Sequence, residues 1–363
     1  MFIKFPPAAR ALMAGLALGC ASSCAPAAPP ANVGALAHPA VQSATSLSAA
    51  MLAVTRAGSR LVAVGERGVV LLSDDNGGSW RQARTPVRAS LTAVQFVDDQ
   101  LGWAVGHLGV ILHTSDGGQT WVRQLDGVQT AALFTQAAEV IVPPASAEPA
   151  RAYARLLTQD GPDKPFLGLR FSDAKNGIVV GAYNLALVTH DGGSSWQPLS
   201  QILPNPRSLH LYGISKVDNT IVIVGEQGLI LRSDDGGHSF SALPSPYKGS
   251  WFGVMSARDG AWIVYGLRGS AYRSTDRGSS WEQAQTGVPA SLTSGLLLHD
   301  GSLLLVTQTG DLLYSTNGGR SFEPRSAAAP TAIADVAQAA DGSLTFATLR
   351  GPMRDPTRGA ASR

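Results

Sequence analysis

Beyond Cys24 the 363-residue chain contains no cysteine. That excludes disulfides, thiolate nucleophiles and cysteine metal sites from whatever folds after it. An exported chain of this kind must be held by its core alone. Charge is also scarce: only 15% of residues are charged, with 28 basic against 26 acidic. A chain starting at His38 would carry 26 of each sign, because Lys4 and Arg10 are the only charges before it. No field for steering toward nucleic acid exists at that balance. Long hydrophobic runs are missing too. The apolar stretch Ala11–Gly19 is shorter than the roughly 20 residues a spanning helix needs.

That short run follows two basic residues and precedes small ones, the three-part layout of an export signal. Two processing readings compete. Ala35-Leu36-Ala37 is an A-x-A site that would make residues 1–37 a signal peptide, whereas Ala17-Leu18-Gly19-Cys20 resembles a lipobox with Cys20 as the lipidated residue. Either way the location expected is exported, periplasmic or lumenal.

What the chain has in abundance is an internal repeat. Six segments read Ser/Thr-x-Asp-x-Gly-x-Ser/Thr-Trp/Phe. Their third and last positions are Asp75 and Trp80, Asp116 and Trp121, Asp191 and Trp196, Asp235 and Phe240, Asp276 and Trp281, and Asn317 and Phe322. Successive third positions lie 41, 75, 44, 41 and 41 residues apart. A period near forty is that of a four-stranded propeller blade. Upstream of each box run short alternating or fully apolar stretches separated by glycine turns, such as LTAVQFVD, LGWAVG and VILHT in the second unit. The box chemistry is structural. The aspartate accepts backbone N–H groups two residues ahead in an Asx-type turn, glycine allows positive φ, and the aromatic ring packs between blades.

The expected fold is therefore all-β: a seven-bladed β-propeller of four-stranded antiparallel blades. Six boxed blades fall at about 47–84, 90–125, 165–200, 207–243, 249–286 and 291–325. A seventh, unboxed, takes strands at 331–338 and 343–349, completed by a strand from 39–46, with 351–363 left as a disordered tail. The long second interval keeps eight blades open as the competing count. Its excess, 126–164, reads as an insertion. ARAYARLL at 150–157 puts Ala150, Tyr153, Leu156 and Leu157 on one helical face, with Pro149 at the start.

In such a ring, turns joining the second and third strands of each blade share one face, opposite the boxes. Arg67, His107, Tyr183, Asn184, Glu226 and Arg268 sit in those turns and are the candidate partner-binding residues. Catalytic sets are not legible. There is no Gly-x-Ser-x-Gly elbow, no His-Glu-x-x-His, and no Arg-Ile-Pro segment of the kind sialidases carry. No catalytic residue, metal or cofactor is assigned.

The box resembles the Asp-box, or bacterial neuraminidase repeat. The longer unit Val-Gly-x-x-Gly-x-(Ile/Val/Leu)-Leu-x-(Ser/Thr)-x-Asp-Gly-Gly-x-(Ser/Thr)-(Trp/Phe), at Val105–Trp121 and Val224–Phe240, resembles the photosystem II assembly and stability factor family. The resemblance covers about 47–349. It implies an exported, non-enzymatic, monomeric scaffold that binds a protein client, a membrane protein or its exposed tail, through one propeller face. An envelope glycoside hydrolase or carbohydrate-binding propeller is the alternative.

Overall fold

The second strand of each repeat is the most apolar and is buried almost throughout: RLVAVG at Arg60–Gly65, GWAVG at Gly102–Gly106, GIVVG at Gly177–Gly181, WIVYG at Trp262–Gly266. A strand buried on both faces needs sheets packed against both, and the repeat supplies them. In the computed structural model, which describes residues 33–325 and 331–355, the chain forms seven antiparallel sheets in sequence order. They span 51–82, 91–125, 166–198, 211–242, 251–283, 292–325 and 333–355. Within each, strands follow one another outward from the first. The first strands pack side by side around a common centre, and that of blade 7 packs on that of blade 1, closing the ring. Met51, Val54 and Leu61 of blade 1 share a core with Ala337, Ala339 and Ala347 of blade 7. Across the same junction Val54 N–H donates to Asp335 Oδ2 at 2.9 Å. Desolvation in the wall raises the Asp335 carboxyl above its ordinary range, against hydrogen bonds that favour its charge.

Seven blades, not eight, follow from what lies between Leu125 and Phe166: two helices, Gly127–Glu139 and Glu148–Asp160. The second is the expected helix, longer at both ends. The first was not anticipated. Its signal was local: Asp126 Oδ1 accepts Val128 and Gln129 N–H at 3.0 Å each while Gln129 returns a bond to Asp126 N–H, a capping box. Phe134 of this helix meets Tyr153 of the next at 5.3 Å, and both pack into the core of Trp103, Phe166 and Phe171.

The expected strand closure fails. Blade 7 has three strands among the described residues. Segment 39–46 instead runs along the outer edge of blade 1, where Ala40 N–H donates to Thr85 O and Gln42 Nε2 to Ala83 O. Pro39 has no N–H to offer a ladder, and Ala44–Ser48 turns helically, so no strand forms. The tail is also shorter than expected. Gly351–Asp355 is the third strand of blade 7, pairing Met353 with Phe346. It was missed because GPMRD lacks the apolar run of its counterparts.

Residues 33–37, counted with the leader in the sequence, are folded onto the propeller. Leu36 is buried, Ala35 O accepts Arg88 N–H at 2.7 Å, and Leu36 O accepts Arg123 Nη1 at 2.8 Å. The rest of the leader, Cys20 included, lies outside the described residues.

The boxes bond differently from the two-residue Asx reading. Asp75 Oδ1 accepts Ser79 N–H, four residues ahead, at 2.8 Å, and Oδ2 accepts the Ser79 hydroxyl at 2.7 Å. Ser73 donates its hydroxyl to Asp75 and accepts Gly77 N–H. The pattern recurs at Asp116, Asp191, Asp235 and Asp276. Asn317 keeps the accepted N–H but reverses the hydroxyl bond, donating Nδ2 to Ser321. Donation from the hydroxyls four residues on, then from the N–H of the same residues, holds Asp75, Asp191 and Asp276 down to about 2. A carboxyl depressed on folding contributes stability above its unfolded value and loses it as pH falls toward the folded one. The melting temperature should therefore drop between about pH 4 and pH 2. A triple Asp75→Asn, Asp191→Asn, Asp276→Asn protein should show a shallower drop in the same scan. An identical slope would contradict the assignment.

Candidate functional site

Five of the turns between second and third strands are built alike. In the first, Arg67 (φ 52°) and Gly68 (φ 73°) are both left-handed, and Val69 N–H closes on Glu66 O at 3.0 Å. This is a type I′ turn, whose twist matches the hairpin it joins. Leu108, Tyr183, Gln227 and Arg268 hold the equivalent strained position, each followed by glycine or, after Tyr183, Asn184. A left-handed turn this tight points its first central side chain away from the sheet. Arg67, Tyr183 and Arg268 are accordingly exposed.

The six candidates divide on this geometry. The Arg67 and Arg268 guanidinium groups have no protein partner among the described residues; their backbone N–H groups meet Ser90 and Ser291 at the start of the next blade. His107 is exposed at the turn entry. Glu226, at the equivalent entry, is half-buried and accepts His210 N–H at 3.1 Å. Asn184 is buried: it donates to Ser200 O and accepts from Asn205, so it anchors the turn. Tyr183 is half exposed at 50%. The Tyr153 hydroxyl of the insertion donates to its carbonyl at 2.9 Å, and Lys164 Nζ lies 5.0 Å above its ring.

Tyr183 also begins a line of rings that the sequence reading did not assemble. His210 lies 4.5 Å from it, Tyr212 is 6.1 Å from His210, and Phe252 is 5.5 Å from Tyr212. Tyr183 N–H donates to His210 Nδ1 at 3.1 Å, and Glu226 Oε2 lies 3.7 Å from the same nitrogen. Tyr212 and Phe252 occupy the second position of the innermost strands of blades 4 and 5, in LYG and WFG. That shared register was the available signal. Arg350 was also missed: it lies exposed in the Leu349-Arg350-Gly351 turn of blade 7, beside blade 1. Its Leu-Arg-Gly repeats that of Arg268.

Beside Tyr183, the insertion and the blade 3 to blade 4 connection enclose a groove of about 510 Å³ lined by Phe134, Tyr153, Asn184, Leu203, Pro204 and Asn205. One face thus combines arginine tips, a ring ladder and an apolar groove, an arrangement suited to an extended polypeptide with acidic and aromatic or apolar groups. Among the described residues no group of three His, Cys, Asp or Glu is placed to hold a metal.

Residues 58–130 and 158–352 match the family model described as photosynthesis system II assembly factor YCF48. The Photosystem II assembly lipoprotein Ycf48 of Synechococcus sp. (strain CC9902) is 34% identical over 102 residues, 28% of this chain and 29% of that relative's length. Among solved structures, YCF48 bound to D1 peptide matches with a TM-score of 0.61 at 16% identity, over 87% of this chain and 95% of the other. A streptogramin B lyase matches with a TM-score of 0.64 at 13% identity, over 85% and 95%. At these identities the structural matches show the propeller fold alone.

Proposed function

The chain belongs to the photosynthesis system II assembly factor YCF48 family, and on that premise we propose that it is an exported, non-enzymatic assembly factor holding a protein client on the face of its type I′ turns. The observation that carries this reading is the ring ladder from Tyr183 through His210 and Tyr212 to Phe252, on the turn face that also bears the exposed Arg67 and Arg268. Rings laid from the rim inward offer stacking and apolar area at low ordering cost. The client is a membrane protein or its exposed tail. The structure of YCF48 with a D1 peptide is a relative's complex that supports a peptide ligand of this kind.

The test is capture. Full-length tagged chain is incubated with envelope extract, and bound proteins are identified by mass spectrometry. Tyr183→Ala should lower recovery of the main partner about tenfold, the scale of an aromatic interface anchor, at an unchanged melting temperature. Equal recovery, or glycoside turnover by the purified protein that one carboxylate substitution abolishes, would defeat the reading.

A further inference from the structure

The turn between the two insertion helices reads Val140-Ile141-Val142-Pro143-Pro144-Ala145-Ser146-Ala147, without a charged residue between Glu139 and Glu148. Val142 and Val140 are 85% and 77% exposed, ahead of Val122 at 66% and Leu349 at 59%. Ile141 between them turns into the groove beside Leu203 and Pro204. Ile202, on the neighbouring connection, adds a further exposed aliphatic at 45%. A solvated hairpin tip is ordinarily polar, and contiguous exposed aliphatics mark a contact surface.

The direction of this tip narrows its occupant. The first insertion helix begins against the blade 2 turn and the second bonds the blade 3 turn through Tyr153, so the hairpin lies on the turn face. The start of the described chain lies on that same face: Ala35 O accepts Arg88 N–H at 2.7 Å, and Val87 and Arg88 abut Gly68 of the blade 1 turn. The sequence preceding it contains the apolar run Ala11–Gly19. The described chain thus begins on the side of the propeller that carries the apolar tip. We propose that Val140 and Val142 seat in a lipid surface, orienting the turn face toward the membrane. Two aliphatic side chains entering the interfacial layer give weak, reversible binding, which acts as an orienting contact beside a stronger tether.

The experiment uses the full-length chain with Cys20→Ala and Cys24→Ala, so that no acyl group contributes. Val142→Cys in that background is labelled with an environment-sensitive fluorophore and mixed with phosphatidylethanolamine and phosphatidylglycerol vesicles. The label should brighten and shift to the blue, and adding Val140→Asp should abolish the change. In flotation without label, Val140→Asp with Val142→Asp should reduce vesicle-bound protein about tenfold. Circular dichroism should be unaltered, since both sites are exposed. A label indifferent to vesicles, or equal flotation of both proteins, overturns the proposal and leaves the tip to an apolar protein partner.

Discussion

Trp103→Ala should destabilise the protein by about 3–5 kcal/mol, the range for emptying a large aromatic site in a packed interior. Trp103 is fully buried in the second strand of blade 2. Its ring stacks on Phe171 of blade 3 at 3.7 Å and 7°, and its Nε1 donates to Gly192 O in the blade 3 box at 3.2 Å. One side chain therefore ties a strand, a neighbouring strand and a neighbouring turn across a blade boundary. Neither blade can close over the vacancy without losing register with the next. Urea denaturation is the measurement, and Trp103→Phe should recover part of the loss by restoring stacking without the donor. A cost for Trp103→Ala below about 1 kcal/mol would show that the boundary collapses freely.

Arg67→Glu combined with Arg268→Glu should reduce client capture by at least tenfold while leaving the melting temperature in place. Both guanidinium groups are exposed and without protein partners among the described residues, so reversing their charge removes no bond seen there. The client loses two attractive contacts and meets two repulsive ones, which costs it several times thermal energy at moderate salt. Wild-type capture should itself weaken as ionic strength rises, and the double variant should be nearly insensitive to it. Adding Arg350→Glu should deepen the loss. Undiminished capture by the double variant would remove the arginine tips from the interface.

The fold was legible because its signal is repeated. Each of Asp75, Asp116, Asp191, Asp235 and Asp276 marks the same turn, and the insertion stood out as the one interval that broke the period. What the sequence concealed was whatever occurs once. The Gly127–Glu139 helix announces itself only through Asp126 and Gln129. The third strand of blade 7 is written in Gly351, Pro352 and Asp355, poor strand formers that pair because a finished neighbour awaits them. The turn residues were found but not their orientations. Whether Asn184 faces in or Tyr183 faces out depends on two consecutive left-handed residues, which spacing does not encode. The ring ladder needed three blades brought together in space before His210 could be seen between Tyr183 and Tyr212.

The course of segment 33–48 along blade 1 has a mechanical consequence. Tension applied at Val33 loads the rims of blades 1 and 2, peeling Leu36 from Arg123, then Ala40 and Gln42 from the edge of blade 1. The seam between blades 7 and 1, fastened at the centre by Asp335 and an apolar core, lies off that line of force. A propeller tugged by its leader would shed this strap first and keep its circle whole.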